Sequence, residues 1–187
     1  MSLAVAKEAP IAVVCVIMRV GLTRVYQWNL ETDEWTPGQF VKADAEVIDI
    51  SPDGKYFSYV AYSHYRKVNR YACVAKPPYF TALAFFPTDE SRSGITFEDG
   101  NELVVSSQNL SWLEDRIESD CPFTITRSAE PLRPVSHSTR DPRTGRQLIG
   151  YGNRIFSRSP DGFDEVIKEF EYEEFELLEP PDWAKVW

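Results

Sequence analysis

The stretch VIDISPDGKYFSYVA at residues 47–61 decides the fold class predicted for this chain. An apolar run at 47–50 leads into the tetrapeptide Ser-Pro-Asp-Gly at 51–54. In that tetrapeptide the proline presets φ, the aspartate can bond its own backbone, and the glycine accepts a positive φ. Residues 56–62 then alternate well enough to form a second strand. The stretch therefore predicts two antiparallel strands joined by a tight turn.

The same succession of short apolar runs and turn residues continues along the chain. Strands are predicted at 11–20, 70–75, 79–86 and 121–127, and hairpins at 24–40, 94–107 and 147–157, with turns at 31–34, 37–38, 98–101 and 152–153. Residues 165–178 predict a strand with a bulge at 173–174, and a helix through the same segment is the alternative. The helical spacing at 110–117 predicts one short helix.

Composition also favours strands over helices. Aromatic residues make up 13% of the 187 residues, and 13 prolines interrupt the chain. Aromatic rings pack well on a pleated sheet, whereas proline breaks a helix by removing an N–H donor. We therefore predict one all-β domain over residues 1–187, with a long loop at 129–146 and a proline-rich tail at 179–187.

Net charge and cysteine content exclude several classes of function. The net charge of -9 is unsuited to binding a phosphate backbone, so no nucleic-acid partner is expected. Three widely spaced cysteines indicate neither a disulfide framework nor a zinc site and favour a reducing, cytoplasmic compartment. The apolar run at 9–18 is too short to cross a bilayer as a helix. No membrane association, cofactor or metal is predicted.

Several of these segments resemble blades of β-propeller proteins. The segments at 47–61, 94–107 and 154–162 are similar to the strand, turn and strand of a blade, the first of them to WD-repeat and TolB-like propellers. The segment VYQWNLETDEW at 25–35 resembles the outer hairpin of a kelch-type blade. The Gly-His and Trp-Asp pairs of WD repeats are missing. At roughly 40–50 residues a blade, the resemblance implies a four-bladed propeller or an incomplete set of antiparallel blades.

The sequence contains few patterns typical of enzymes. His137 lies between two serines, but neighbours on an extended chain point to opposite faces, and no Gly-x-Ser-x-Gly elbow is present. Metal-binding and nucleotide-binding spacings are also missing. Absence of enzymatic activity is therefore favoured, and a hydrolase using His137 or clustered acidic residues is kept as an alternative.

Charge is segregated near the C-terminus. The segment from Arg127 to Arg158 contains seven arginines and only two acidic residues, Glu130 and Asp141. Residues 161–182 contain ten acidic residues and one basic residue, Lys168. Such asymmetry can steer an oppositely charged partner. The alternative is that the two segments lie side by side and neutralise each other.

Aromatic residues in polar segments complete the predicted binding surface. Aromatic and arginine side chains dominate the energetics of protein interfaces. The residues predicted to contact a partner are His64, Tyr65, Arg66, Arg140, Arg143, Arg146 and Trp183. The function predicted is a non-catalytic module that binds a protein partner, of which an immunity-type inhibitor is one instance. A carbohydrate or small-ligand domain that stacks its ligand on tryptophan is the second hypothesis.

Overall fold

The fold was analysed in a computed structural model that describes residues 1–63, 69–88, 93–99, 101–106, 115–130, 137–158 and 164–187. Within these ranges the chain forms β-strands and one turn of 3-10 helix, Asp182–Ala184, but no α-helix. The all-β class predicted from the sequence is therefore confirmed. None of the described residues belongs to a helix long and apolar enough to cross a membrane.

The strands form four sheets. The first sheet is an antiparallel meander of β1 (Ser2–Val5), β2 (Ile11–Arg19), β3 (Leu22–Asn29) and β4 (Glu34–Val41). The second contains β5 (Asp44–Ile50), β6 (Phe57–Tyr62), β7 (Arg70–Ala75) and β8 (Ala84–Pro87), extended at its edge by β11 (Arg116–Ile117). Because most neighbouring strands of these two sheets are also successive in the chain, short connections join most of them.

The third and fourth sheets use the C-terminal half of the chain. The third contains β9 (Gly94–Glu98), β10 (Glu102–Ser106) and β12 (Thr124–Ser128), and its β10–β12 pair is parallel. The fourth is the antiparallel meander β13 (Ser138–Arg140), β14 (Gln147–Tyr151), β15 (Arg154–Arg158) and β16 (Asp164–Glu169).

Apolar layers join the sheets in the order fourth, first, second, third. Alternate residues of β2 serve two layers: Val13 and Cys15 pack with Phe57 of the second sheet, whereas Val14 packs with Leu148 of the fourth. A third layer joins the second and third sheets through residues Val60, Ala72, Val74, Ala84, Phe86, Ile95, Phe97, Leu103 and Val105. The first and second sheets are thus covered on both faces, which explains why residues 12–16 form an unbroken buried run.

The first strand of each sheet lies beside the first strand of a neighbouring sheet. Strand β1 is next to both β5 and β13, and β5 is next to β9. Two side chains link these strands directly. Ser2 Oγ accepts a hydrogen bond of 2.9 Å from the Val47 amide, and the Asp49 carboxylate accepts one of 2.8 Å from the Phe97 amide.

The turn predicted at 51–54 is confirmed. The Gly54 amide donates to the Ser51 carbonyl at 2.8 Å, and Gly54 has a φ of 75°. Ser51 Oγ donates to Asp53 at 2.7 Å and accepts from the Tyr56 amide at 3.0 Å. The buried Ser51 side chain therefore forms hydrogen bonds with both ends of the turn. The turn connects β5 to β6, as predicted.

Four local predictions need correction. The described end of the segment predicted as a helix, Arg116–Ile117, is β11, because it pairs with β8, and residues 110–114 lie outside the described ranges. The residues at 37–38, predicted as a turn, form a bulge inside β4. The backbone of Pro78 lies so close to Gly38 that no side chain would fit at position 38. The strand predicted at 165–178 ends at Glu169, and the loop predicted at 129–146 contains β13.

Substitution of Gly54 tests the tight contact between the 51–54 turn and β2. Gly54 and Gly145 have φ values of 75° and 73°, so alanine is strained at either position, by about 1–2 kcal/mol. A Cβ at Gly54 would also lie 3.0 Å from Ile11 Cβ, whereas nothing lies within 4 Å at Gly145. We expect Gly54→Ala to lower the free energy of unfolding in urea by roughly 1 kcal/mol more than Gly145→Ala. Equal losses of unfolding free energy in the two variants would show that a Cβ at position 54 is not crowded by Ile11.

Candidate functional site

The C-terminal strap, defined as residues 170–187, is the most unusual part of the surface. Apart from the 3-10 turn, the strap has no regular secondary structure. It begins at Phe170, which is buried between the first and fourth sheets and whose amide donates to the Asn153 carbonyl at 2.9 Å. From there it runs over the first and second sheets.

Glu173 anchors the strap to the first sheet. Its carboxylate accepts a hydrogen bond from the Tyr26 hydroxyl and forms an ion pair with Arg24. Arg24 is mostly buried, and its guanidinium also donates to the Gly38 carbonyl at 3.1 Å. A buried arginine requires a partner for its charge. Because Arg24 of β3 is buried, its guanidinium binds the carboxylate of Glu173 and so fixes the position of the strap there.

The next part of the strap follows β4. Phe175 packs on Phe40 with ring centroids 5.9 Å apart, and the Lys42 ammonium lies 4.5 Å from the centroid of Phe175. The Gln39 side-chain amide donates to the Leu178 carbonyl at 2.8 Å. These side-chain contacts hold the strap along the outer strand of the first sheet.

The end of the strap reaches the second and third sheets. Trp183 packs edge-on against Tyr79, and its carbonyl accepts a hydrogen bond of 2.9 Å from the Lys76 ammonium. Trp187 packs against Tyr56 and against Phe123, which precedes β12, with ring centroids 5.7 and 5.8 Å apart. The strap therefore contacts residues of all four sheets.

The outer surface of the strap is both apolar and acidic. Large side chains point to solvent at Tyr172, Leu177, Trp183 and Val186, which are 59%, 74%, 52% and 57% exposed. Four exposed glutamates alternate with them: Glu171, Glu174, Glu176 and Glu179. None of these glutamates forms an ion pair with a residue that the structure describes. The strap therefore combines exposed apolar and exposed acidic side chains along one segment of the chain.

A groove lies beside the end of the strap, between the 51–54 turn and the β9–β10 hairpin. Its volume is about 710 Å³. Its lining residues are Glu8, Ser51, Pro52, Asp53, Lys55, Tyr56, Phe97, Glu98, Asp99, Asn101, Pro122 and Phe123. A shallower depression of about 420 Å³ shares Asp53, Lys55 and Tyr56 with it and extends to Trp183. We call the larger depression the acid–aromatic groove.

The structure separates the residues predicted to bind a partner. His64, Tyr65 and Arg66 lie outside the described residues. Trp183 belongs to the strap and packs against the second sheet, whereas Arg140, Arg143 and Arg146 belong to the β13–β14 hairpin of the fourth. Sequence reasoning missed the anchors Arg24 and Glu173, whose pairing across 149 positions leaves no local signal.

Two of the three hairpin arginines have structural roles. Arg143 forms two hydrogen bonds with the buried carboxylate of Asp141, at 3.2 and 3.1 Å, and Arg146 donates to Ser157 Oγ at 2.7 Å. Burial acts to raise the pKa of Asp141, but the hydrogen bonds from Arg143 and Thr144 outweigh it and hold that pKa below its ordinary value. Arg140 and Arg143 are both exposed, whereas Arg146 is partly buried.

The segregated charges partly neutralise each other. Arg154 pairs with Glu169 at 2.9 Å, and Arg158 pairs with Asp164 at 2.8 Å. Both pairs link β15 to β16, so the basic and acidic segments do lie side by side in the fourth sheet. Among the described acidic residues from Asp164 onward, Glu165 and the strap residues Glu171, Glu174, Glu176 and Glu179 form no ion pair with a described residue.

The groups considered for chemistry occupy structural positions. His137 Nδ1 donates to the Met1 carbonyl at 2.8 Å, and no described serine or carboxylate is bonded to the ring. Burial raises the pKa of Cys15 to about 12, so its thiol is a poor nucleophile. No group of three potential metal ligands occurs among the described residues.

Comparisons of the chain with family models, with curated proteins and with solved structures found no match.

The partly buried Asp49 carboxylate, which links β5 to β9 beside the groove, makes stability depend on pH. Burial raises its pKa, although hydrogen bonds from the Phe97 and Ile50 amides act in the opposite direction. The folded state therefore favours the neutral form of Asp49 more than the unfolded state does. The stability that this preference contributes is complete below the ordinary aspartate pKa, about 4, and is lost as pH rises through the raised folded pKa.

We expect the stability of the wild type relative to Asp49→Asn to fall as the pH of urea unfolding experiments rises from about 3 to about 7. Asp141→Asn is a control of opposite sign, because the pKa of Asp141 is lowered. The wild type should gain stability relative to Asp141→Asn over the same pH range. If the difference in unfolding free energy between the wild type and Asp49→Asn did not change with pH, the pKa of Asp49 would not be raised in the folded state.

Removal of the Glu173 anchor should release the strap. Glu173→Ala leaves the Arg24 charge without its carboxylate, which favours local opening. We expect a glutamate-specific protease to cleave after Glu174 and Glu176 roughly several-fold faster in this variant than in the wild type. Glu171→Ala is the matched control, since it also removes one glutamate from the strap but no ion pair. Equal cleavage of the two variants would show that Glu173 does not hold the strap.

Proposed function

We propose that this protein is a non-catalytic module that binds a protein partner through the outer surface of its C-terminal strap. One observation carries the proposal: large apolar side chains stand exposed among four glutamates that have no ion pair in the described structure. Burial of these apolar side chains by a partner would remove their surface from water and so favour binding.

The chemistry of the strap defines the partner. Tyr172, Leu177 and Trp183 are suited to enter apolar pockets, as interface anchors do. The surrounding glutamates would attract a basic rim and accelerate association at low salt. The partner is therefore a protein with apolar pockets in a basic surface. An immunity-type inhibitor that covers a basic toxin is one instance of this class.

We further propose that the four sheets are blades of an incomplete β-propeller. Supporting this are the position of β1 beside β5 and β13, the position of β5 beside β9, and the apolar layers between successive sheets. In such an arrangement the strap would act as a tie that crosses the blades from outside. The cytoplasm is the proposed location, because Cys15, Cys73 and Cys121, which the structure describes, form no disulfide.

The experiment compares a strap variant with a matched surface variant. Tyr172→Ser with Leu177→Ser removes one exposed aromatic and one exposed aliphatic side chain from the strap. Tyr151→Ser with Val20→Ser removes the same two classes at positions 78% and 81% exposed outside it. Each tagged protein is used to capture partners from the lysate of the cells that produce it, and the captured protein is then purified and titrated.

We expect the strap variant to bind the purified partner at least about tenfold more weakly than the wild type, while the matched variant binds normally. Wild-type binding should also weaken as salt rises from about 0.05 to about 0.3 M, because screening reduces attraction between charged surfaces. A partner that binds both variants equally, or whose affinity does not respond to salt, would contradict the proposal.

A further inference from the structure

The acid–aromatic groove carries an excess of negative charge that its own residues do not neutralise. Lys55 is its single cation and pairs with Asp53 at 2.9 Å. Glu8, Glu98 and Asp99 are exposed and form no ion pair with a described residue. The groove therefore presents three carboxylates that have no ion-pair partner among the described residues, although the Lys76 ammonium lies 5.5 Å from the centroid of the Tyr56 ring at its edge.

Aromatic rings lie next to these carboxylates. Tyr56, Phe97 and Phe123 all line the groove, and Phe123 packs edge-on against both other rings, with centroids 5.3 and 5.5 Å apart. Phe97 is anchored through its amide to Asp49, and Tyr56 through its amide to Ser51. Phe97 is 4% exposed and forms the floor of the groove, so the partly buried rings of Tyr56 and Phe123 are the ones open to a flat cationic group.

We propose that this groove binds an arginine side chain from an extended segment of a partner protein. A guanidinium is flat, permanently charged and weakly hydrated, so it can contact an aromatic ring and a carboxylate at once. A lysine ammonium is a compact and strongly hydrated charge, and it gains less from the rings. The described carboxylates of the groove form no cluster of metal ligands. Charge complementarity therefore selects an arginine-bearing peptide as the occupant.

The site is separate from the strap surface proposed above. None of Tyr172, Leu177 and the strap glutamates lines the groove. Direct titration of the groove with a short peptide also needs no knowledge of the natural partner. Failure of the groove and failure of the strap are therefore distinguishable.

In the experiment the full chain is titrated with an acetylated and amidated tetra-arginine peptide. Binding is measured by calorimetry and from amide NMR spectra. We expect saturable binding, with shifts concentrated at Lys55, Tyr56, Phe97 and Asp99. Two peptides of the same length serve as references. The citrulline peptide has the same shape without the charge and should not bind, and the lysine peptide should bind roughly threefold or more weakly than the arginine peptide.

A charge-matched pair of variants assigns the binding to the groove. Glu98→Gln with Asp99→Asn removes two groove carboxylates and should weaken arginine binding by roughly five- to tenfold. Glu130→Gln with Glu165→Gln removes two exposed carboxylates that do not line the groove, so binding should be unchanged.

Three outcomes would overturn the inference. They are equal weakening by the two pairs of variants, equal binding of the arginine and lysine peptides, and amide shifts confined to the strap. The first and third would place the binding elsewhere on the acidic surface. The second would show that only net charge is recognised.

Discussion

The fold depends on one constraint, which is that the apolar strand β2 must be covered on both faces. Residues 12–16 are all buried, and alternate side chains enter two different apolar layers. One face is covered by the second sheet and the other by the fourth, although the fourth follows more than a hundred residues later in the chain. Because each added sheet itself has two faces, the stacking continues to the third sheet.

Polar links fix how the stacked sheets are aligned. Apolar layers are tolerant of small slides, whereas a hydrogen bond to a backbone amide is directional. Ser2 bonds to Val47, and Asp49 bonds to Phe97, so β1, β5 and β9 are tied at defined positions. The second link requires a carboxylate in a largely buried place, which explains why the raised pKa of Asp49 occurs there.

The strap explains the charge pattern of the C-terminal region. Asp164 and Glu169 pair with Arg158 and Arg154 of the basic segment inside the fourth sheet. Once β16 ends at Glu169, the chain has no strand partner and is held by side chains such as Glu173. The remaining glutamates and the exposed apolar groups of the strap then lie at the surface.

The sequence by itself determined the all-β class, most strand positions and the 51–54 turn, because alternation and turn chemistry act between near neighbours. Tertiary structure decided the rest. The parallel β10–β12 pair, the bulge at Gly38 and the Arg24–Glu173 anchor all join segments distant in the chain. Local patterns contain no information on such pairings. The acid–aromatic groove is likewise assembled from four separate segments, so only the folded chain brings its carboxylates beside aromatic rings.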